Sequence, residues 1–111
     1  MRRISWLRTA LNDFQAFPLP VQDQMKAALE IAAVGAKADI AKPMKGLDAG
    51  VYEIAVAHRS DAFRAIYALK IGSDIWVIHA FQKKSKQGIK TPKHDIDLIR
   101  HRVKRLREML K

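Results

Sequence analysis

Arg64, His79 and the run Phe81-Gln82-Lys83-Lys84-Ser85 supply the residue types that a metal-free phosphodiester cleavage requires. Breaking RNA without a metal takes a base for the 2′-hydroxyl, cations for the charge that builds on the phosphorane, and an acid for the departing 5′-oxygen. An arginine presents a fixed fork of donors matched to phosphate oxygens. Crowded ammonium groups disfavour one another's charged forms, so Lys83, Lys84 or Lys86 is a candidate base. His79 can act as acid or base near neutral pH. The product of such a reaction is a 2′,3′-cyclic phosphate.

Each residue has a plainer reading beside this one. An arginine on a strand commonly serves an ion pair. His79 stands among Val77, Ile78 and Phe81, where a hydrogen-bonded core histidine is equally at home. A Lys-Lys-Ser-Lys run alone reads as a solvated loop. Tyr52 and Tyr67 sit in strand patterns and read as core. His58, His94 and His101 lack ligand spacing or a carboxylate companion, so no metal and no cofactor is expected. The signal is the combination of residues.

The elements that position them follow from periodicity. Arg2 to Leu7 reads as a short strand with Ile4 and Trp6 on one face. Thr9 is placed to cap a helix carrying Ala10, Leu11 and Phe14, which ends before Phe17-Pro18. Pro20 suits the first turn of a second helix through Val21, Met25, Ala28, Leu29 and Ala32, and Gly35 ends it. Ala36 to Asp48 reads as a loop. Val51 to His58 then alternates, as does Ala62 to Ile71, and Gly72-Ser73-Asp74 turns the chain into Ile75 to Phe81. In this last strand Ile75, Val77, His79 and Phe81 form one face and Trp76, Ile78 and Ala80 the other, a pattern for a strand covered on both sides. Strands joined by short turns pair antiparallel, so Arg64 falls at the same end of the sheet as His79 to Lys83. Thr91-Pro92 reads as cap and first-turn proline of a helix to Leu110, with Ile96, Ile99, Val103, Leu106 and Leu110 as its apolar stripe. The fold class is α+β, one domain over residues 1–111. It comprises an N-terminal strand and helical hairpin, an antiparallel meander of three to four strands, and a long basic C-terminal helix.

Charge narrows the partners. The chain has 111 residues, 49% of them hydrophobic, too apolar for a disordered tail and too short for two cores. It contains 21 Lys and Arg against 11 Asp and Glu, and no cysteine, which excludes disulfides and thiolate sites. Residues 1–50 carry seven basic and five acidic groups (+2), residues 51–111 fourteen and six (+8), and Lys83 to Lys111 alone eleven and three (+8). A field gathered at one end of the chain suits a polyanion. Lys86, Lys90, Lys93, Arg100, Lys104 and Arg107 are the candidate RNA- or ribosome-binding residues. No apolar run suits a membrane span, and the charged N-terminus is unlike a signal peptide, so a cytoplasmic protein is expected.

Phe63-Arg64-Ala65-Ile66-Tyr67, Ile75 to Ser85, Lys90-Thr91-Pro92 and Asp95-Ile96 together resemble the RelE/ParE toxin superfamily, in its phage-derived, HigB-like branch. Phe17-Pro18, Lys42 to Leu47 and Val51 to Ile54 fit the same branch. The resemblance implies a type II toxin that cleaves mRNA on the translating ribosome and is neutralised by a co-encoded, helix-turn-helix, HigA-like antitoxin. By position, Arg64 would bind the scissile phosphate, Lys83 and Lys84 would stabilise charge or exchange protons, and His79 would be a further catalytic candidate. The tail Arg107-Glu108-Met109-Leu110-Lys111 lacks the Tyr or His that superfamily members often place there, so the resemblance names no general acid. The alternatives are a ParE-like inhibitor of DNA gyrase and an inactive remnant that only binds an antitoxin.

Overall fold

The computed structural model describes residues 1–47, 50–84 and 90–110, together with the backbone but not the side chain of Lys84. The elements in order are β1 (Ile4–Trp6), α1 (Arg8–Gln15), α2 (Leu19–Ala33), β2 (Ala41–Pro43), β3 (Val51–His58), β4 (Asp61–Ala68), β5 (Ile75–Lys84) and α3 (Lys93–Met109). Among the described residues the strands form one five-stranded sheet in the order β1-β5-β4-β3-β2. The four strands β2 to β5 are a continuous antiparallel meander, and β1 joins its β5 edge in parallel. A parallel neighbour needs a crossover, which the α1–α2 hairpin and the following strands provide.

The sheet has an apolar layer on each side. Phe14, Phe17, Val21, Met25 and Leu29 of the helical hairpin pack on Ile54, Phe63, Tyr67 and Val77. On the opposite side Ile99, Val103 and Leu106 of α3 pack on Val51, Ile66, Ile71 and Ile78. α2 ends as its sequence predicts: Gly35 takes a φ of 93°, and the amides of Gly35 and Ala36 bond back to Ala32 and Ile31. Gln22 Nε2 donates to the carbonyls of Gln15 and Phe17 at 3.1 and 2.9 Å, which fixes the turn between the helices.

Several local expectations are corrected. Thr9 does not cap α1; the helix starts at Arg8 behind Leu7, with no side-chain cap. Thr91 does not cap α3 either, because Pro92 holds that position and the Thr91 hydroxyl is used elsewhere. The stretch read as loop from Ala36 to Asp48 contains β2, whose Lys42 pairs with Glu53 on β3. β4 stops at Ala68, short of Ile71.

The alternation in β5 also breaks. Ile66 pairs with His79 but Tyr67 pairs with Val77, so Ile78 is one residue too many, a β-bulge. The extra residue shifts the phase. Ile75 and Val77 face the helical hairpin as part of its core. His79 turns to α3, where it meets Asp95 and Arg102. The sheet face under α3 thereby gains the polar end of β5.

Candidate functional site

The hairpin register brings Arg64 opposite Phe81, Ala62 opposite Lys83 and Ile66 opposite His79. Cross-strand partners share a face, so Arg64, Phe81, Lys83 and His79 lie on the α3 side of the sheet. On β3 the same face carries Glu53 and Ala55, paired with Ile66 and Arg64, and on β2 it carries Lys42. The twist of adjacent strands and the lead-in to α3 close Lys42, Glu53, Ala55 and Arg64 of this face into a groove, which Phe81, Lys83 and His79 do not line. Its lining comprises Ile40, Lys42, Pro43, Met44, Lys45, Glu53, Ala55, Arg64, Lys90, Thr91 and Ile96, around a volume of about 820 Å³. Among the described residues, four cationic side chains and one carboxylate stand in that lining. A nucleotide-sized anion fits such a space.

Arg64 is held by Glu53. Its Nη1 donates to Glu53 Oε1 at 2.8 Å, and the two side chains are 8% and 16% exposed. The other carboxylate oxygen accepts from the Thr91 hydroxyl, so one acid links β4 to the start of α3. Periodicity left Glu53 as the polar side of β3 and gave it no role. The signal available was an acid in mid-strand whose diagonal neighbour across the hairpin is an arginine. The pair sets a hydrogen-bond acceptor beside a guanidinium fork of the kind that suits anionic oxygen.

Lys83 is buried, and its Nζ donates to the carbonyl of Lys90. A buried ammonium needs such an acceptor. The contact ties the end of β5 to the segment that carries Lys90 and Thr91 into the groove. Lys84 pairs with Asp61 through the backbone. The side chain of Lys84, and the whole of Lys86, lie outside the described residues.

His79 is buried and does not line the groove. Arg102 Nη1 donates to His79 Nδ1 at 3.1 Å and to the Ile78 carbonyl at 2.9 Å. A guanidinium has only donors, so Nδ1 accepts and the ring proton sits on Nε2, donated to Asp95 Oδ1 at 2.8 Å. Burial pushes the imidazole below its usual pKa, and the nearby Arg102 pushes the same way; the bond to Asp95 and the charges of Asp95 and Asp13 oppose them. Phe81 stacks on the ring at 5.0 Å. The neutral histidine clamps α3 to β5 behind the groove.

The remaining predicted RNA-binding residues divide. Lys90 lines the groove with Arg64. Lys93 is exposed and pairs with Asp97 at 3.0 Å, one helical turn on. Arg100, Lys104 and Arg107 line a second groove, between α3 and Gly46-Leu47. Tyr52 and Tyr67 stack on each other at 5.4 Å within the hairpin-side layer; burial and the neighbouring Tyr52 push the Tyr67 hydroxyl up to about 12, so it stays protonated.

The sequence profile described as "Phage derived protein Gp49-like (DUF891)" matches residues 12–104. No curated protein matches the sequence. Among solved structures, the chain is similar to a free-state structure of the E. coli toxin RelE carrying two arginine-to-alanine substitutions. The TM-score is 0.63 at 18% identity, over 94% of this chain and 96% of that one. It is also similar to the isolated E. coli RelE toxin, with a TM-score of 0.59 at 17% identity over 96% and 99% of the two chains. Likeness at this identity establishes the fold, which is that of RelE.

Proposed function

From the premise that this chain belongs to the Gp49-like phage-derived proteins and has the RelE fold, we propose that it is a type II toxin of HigB-like kind. In this reading it is an endoribonuclease that cuts mRNA on the translating ribosome, in the cytoplasm, and is held in check by a helix-turn-helix, HigA-like antitoxin. The observation that carries the reading is the Glu53–Arg64 pair in a groove whose lining also holds Lys42, Lys45 and Lys90. A gyrase inhibitor needs a protein-binding surface and has no use for a base beside a guanidinium.

The chemistry follows from the placement. A phosphodiester entering the groove takes the Arg64 donors in place of the Glu53 carboxylate, exchanging one anion for another on the same cation. Glu53, still tethered by Thr91, then accepts the 2′-hydroxyl proton. The 2′-oxygen bonds to phosphorus, the bond to the 5′-oxygen breaks, and that oxygen takes a proton from an ammonium group of the lysine set at this end of β5. Arg64, Lys83 and Lys84 neutralise the charge on the phosphorane. His79 acts as a positioning residue through Asp95 and α3. The steps leave a 2′,3′-cyclic phosphate and a 5′-hydroxyl.

Transcript mapping after induction tests the function. The reading expects new mRNA 5′ ends with the native chain and none with Arg64→Lys, which keeps the charge and loses the fork. Intact transcripts together with a DNA-damage response would overturn it in favour of gyrase.

A further inference from the structure

The second groove, between α3 and the β2–β3 connection, has a different lining from the first. Leu47 and Val103 form an aliphatic floor, and Gly46 offers backbone with open space above it. Arg100, Lys104 and Arg107 form the cationic wall, and Glu108 closes one end; the volume is about 440 Å³. Spacings of four and three residues put the three cations on one helical face, over about 10 Å of rise. Arg100 reaches Asp97 at only 3.7 Å, and both side chains are more than half exposed, so this pair leaves the Arg100 charge open to a stronger partner.

We infer that this groove is the docking surface for an acidic, amphipathic helical segment of a partner protein. Charge complementarity selects an acidic occupant, with carboxylates at helical spacing facing Arg100, Lys104 and Arg107. The floor selects protein over RNA. Single-stranded RNA is bound by cations combined with aromatic faces on which bases stack, and none of the lining residues is aromatic. Leu47 and Val103 instead offer aliphatic surface to leucine-like side chains. The groove also adjoins the candidate site. Lys42 to Lys45 line the first groove and Gly46-Leu47 the second, while α3 contributes Ile96 to one and Arg100 onward to the other. A helix seated here therefore fixes both walls of the Arg64 groove. In the toxin reading the segment belongs to the neutralising partner; the inference rests on that reading for the partner's identity alone.

The probe is a synthetic amphipathic helical peptide with glutamates along one stripe and leucines along the next, titrated into the full chain with methyl NMR and fluorescence anisotropy as readouts. The expected result is a saturable shift of the Leu47 and Val103 methyls. Affinity should fall roughly tenfold or more in Arg100→Glu/Lys104→Glu, with its circular dichroism unchanged, and persist in Arg64→Lys. Binding that survives the charge reversal, or shifts confined to other residues, overturns the inference. So does a single-stranded RNA that displaces the peptide and loses affinity in the same reversal. Peptide binding with no cleavage of RNA by the native chain would leave this surface standing and remove the nuclease reading.

Discussion

Arg64 Nη1 and Glu53 Oε1 meet at 2.8 Å across neighbouring strands, so the guanidinium that lines the groove is already paired with a carboxylate of the same lining. Cutting one side of such a pair strands the other. Arg64→Ala should therefore destabilise the fold by about 3 kcal/mol, as for a partly desolvated pair losing one member. Glu53→Gln combined with Arg64→Gln should recover a good part of that loss, and urea unfolding of the single and double variants measures the coupling. Growth arrest relieved by Arg64→Ala alone mixes folding with chemistry.

Glu53→Gln keeps the shape and the Thr91 contact while removing the base. Cleavage should fall by about 10²–10³ under single-turnover conditions. RNA affinity, measured by anisotropy, should hold or rise, because an anion facing the phosphate has gone. Unchanged cleavage would remove Glu53 from the reaction.

Lys83→Met keeps the buried stem and loses the donor to the Lys90 carbonyl. The loss of this charge-assisted bond should cost about 2 kcal/mol in thermal or urea unfolding. Cleavage should drop by more than the change in folded fraction accounts for, since the tether sets where Lys90 and Thr91 stand.

His79 predicts a pH dependence of stability. Its folded pKa lies below the ordinary value, chiefly through burial, with Arg102 adding to the effect against Asp95 and Asp13. The unfolded chain thus binds a proton more readily than the folded one. Stability from this residue is full above the unfolded pKa of about 6.5 and is lost as pH falls through the folded value. Melting temperatures at successively lower pH should drop more steeply for the native chain than for His79→Gln, which keeps hydrogen bonding without titrating. Parallel slopes would place the proton uptake elsewhere.

The sequence made some of this legible and hid the rest for physical reasons. The Gly72 turn and the alternation on both sides of it were enough to set Arg64 near Phe81 and Lys83, as the register shows. β2 was invisible because it is only three residues, Ala41–Pro43, and is held by the edge of β3 rather than by its own pattern. The bulge at Ile78 was invisible for another reason. Ile75 to Ile78 is apolar on both faces, so a slip of one residue breaks no pattern there, and His79 beyond it is the first polar residue to change side. The contacts of Glu53 with Thr91, and of His79 with Asp95 and Arg102, join the sheet to α3 and its lead-in. Only the packing of α3 on the sheet decides them.

The most direct test replaces the 2′-hydroxyl at the cut position. An mRNA cleaved by the native protein on the ribosome is compared with one carrying a single 2′-deoxynucleotide there, and the new ends are analysed chemically. Attack by the 2′-oxygen predicts that the all-ribose message is cut to a 2′,3′-cyclic phosphate and that the substituted one stays whole at that position. Equal cutting of both messages, or of neither, would contradict it.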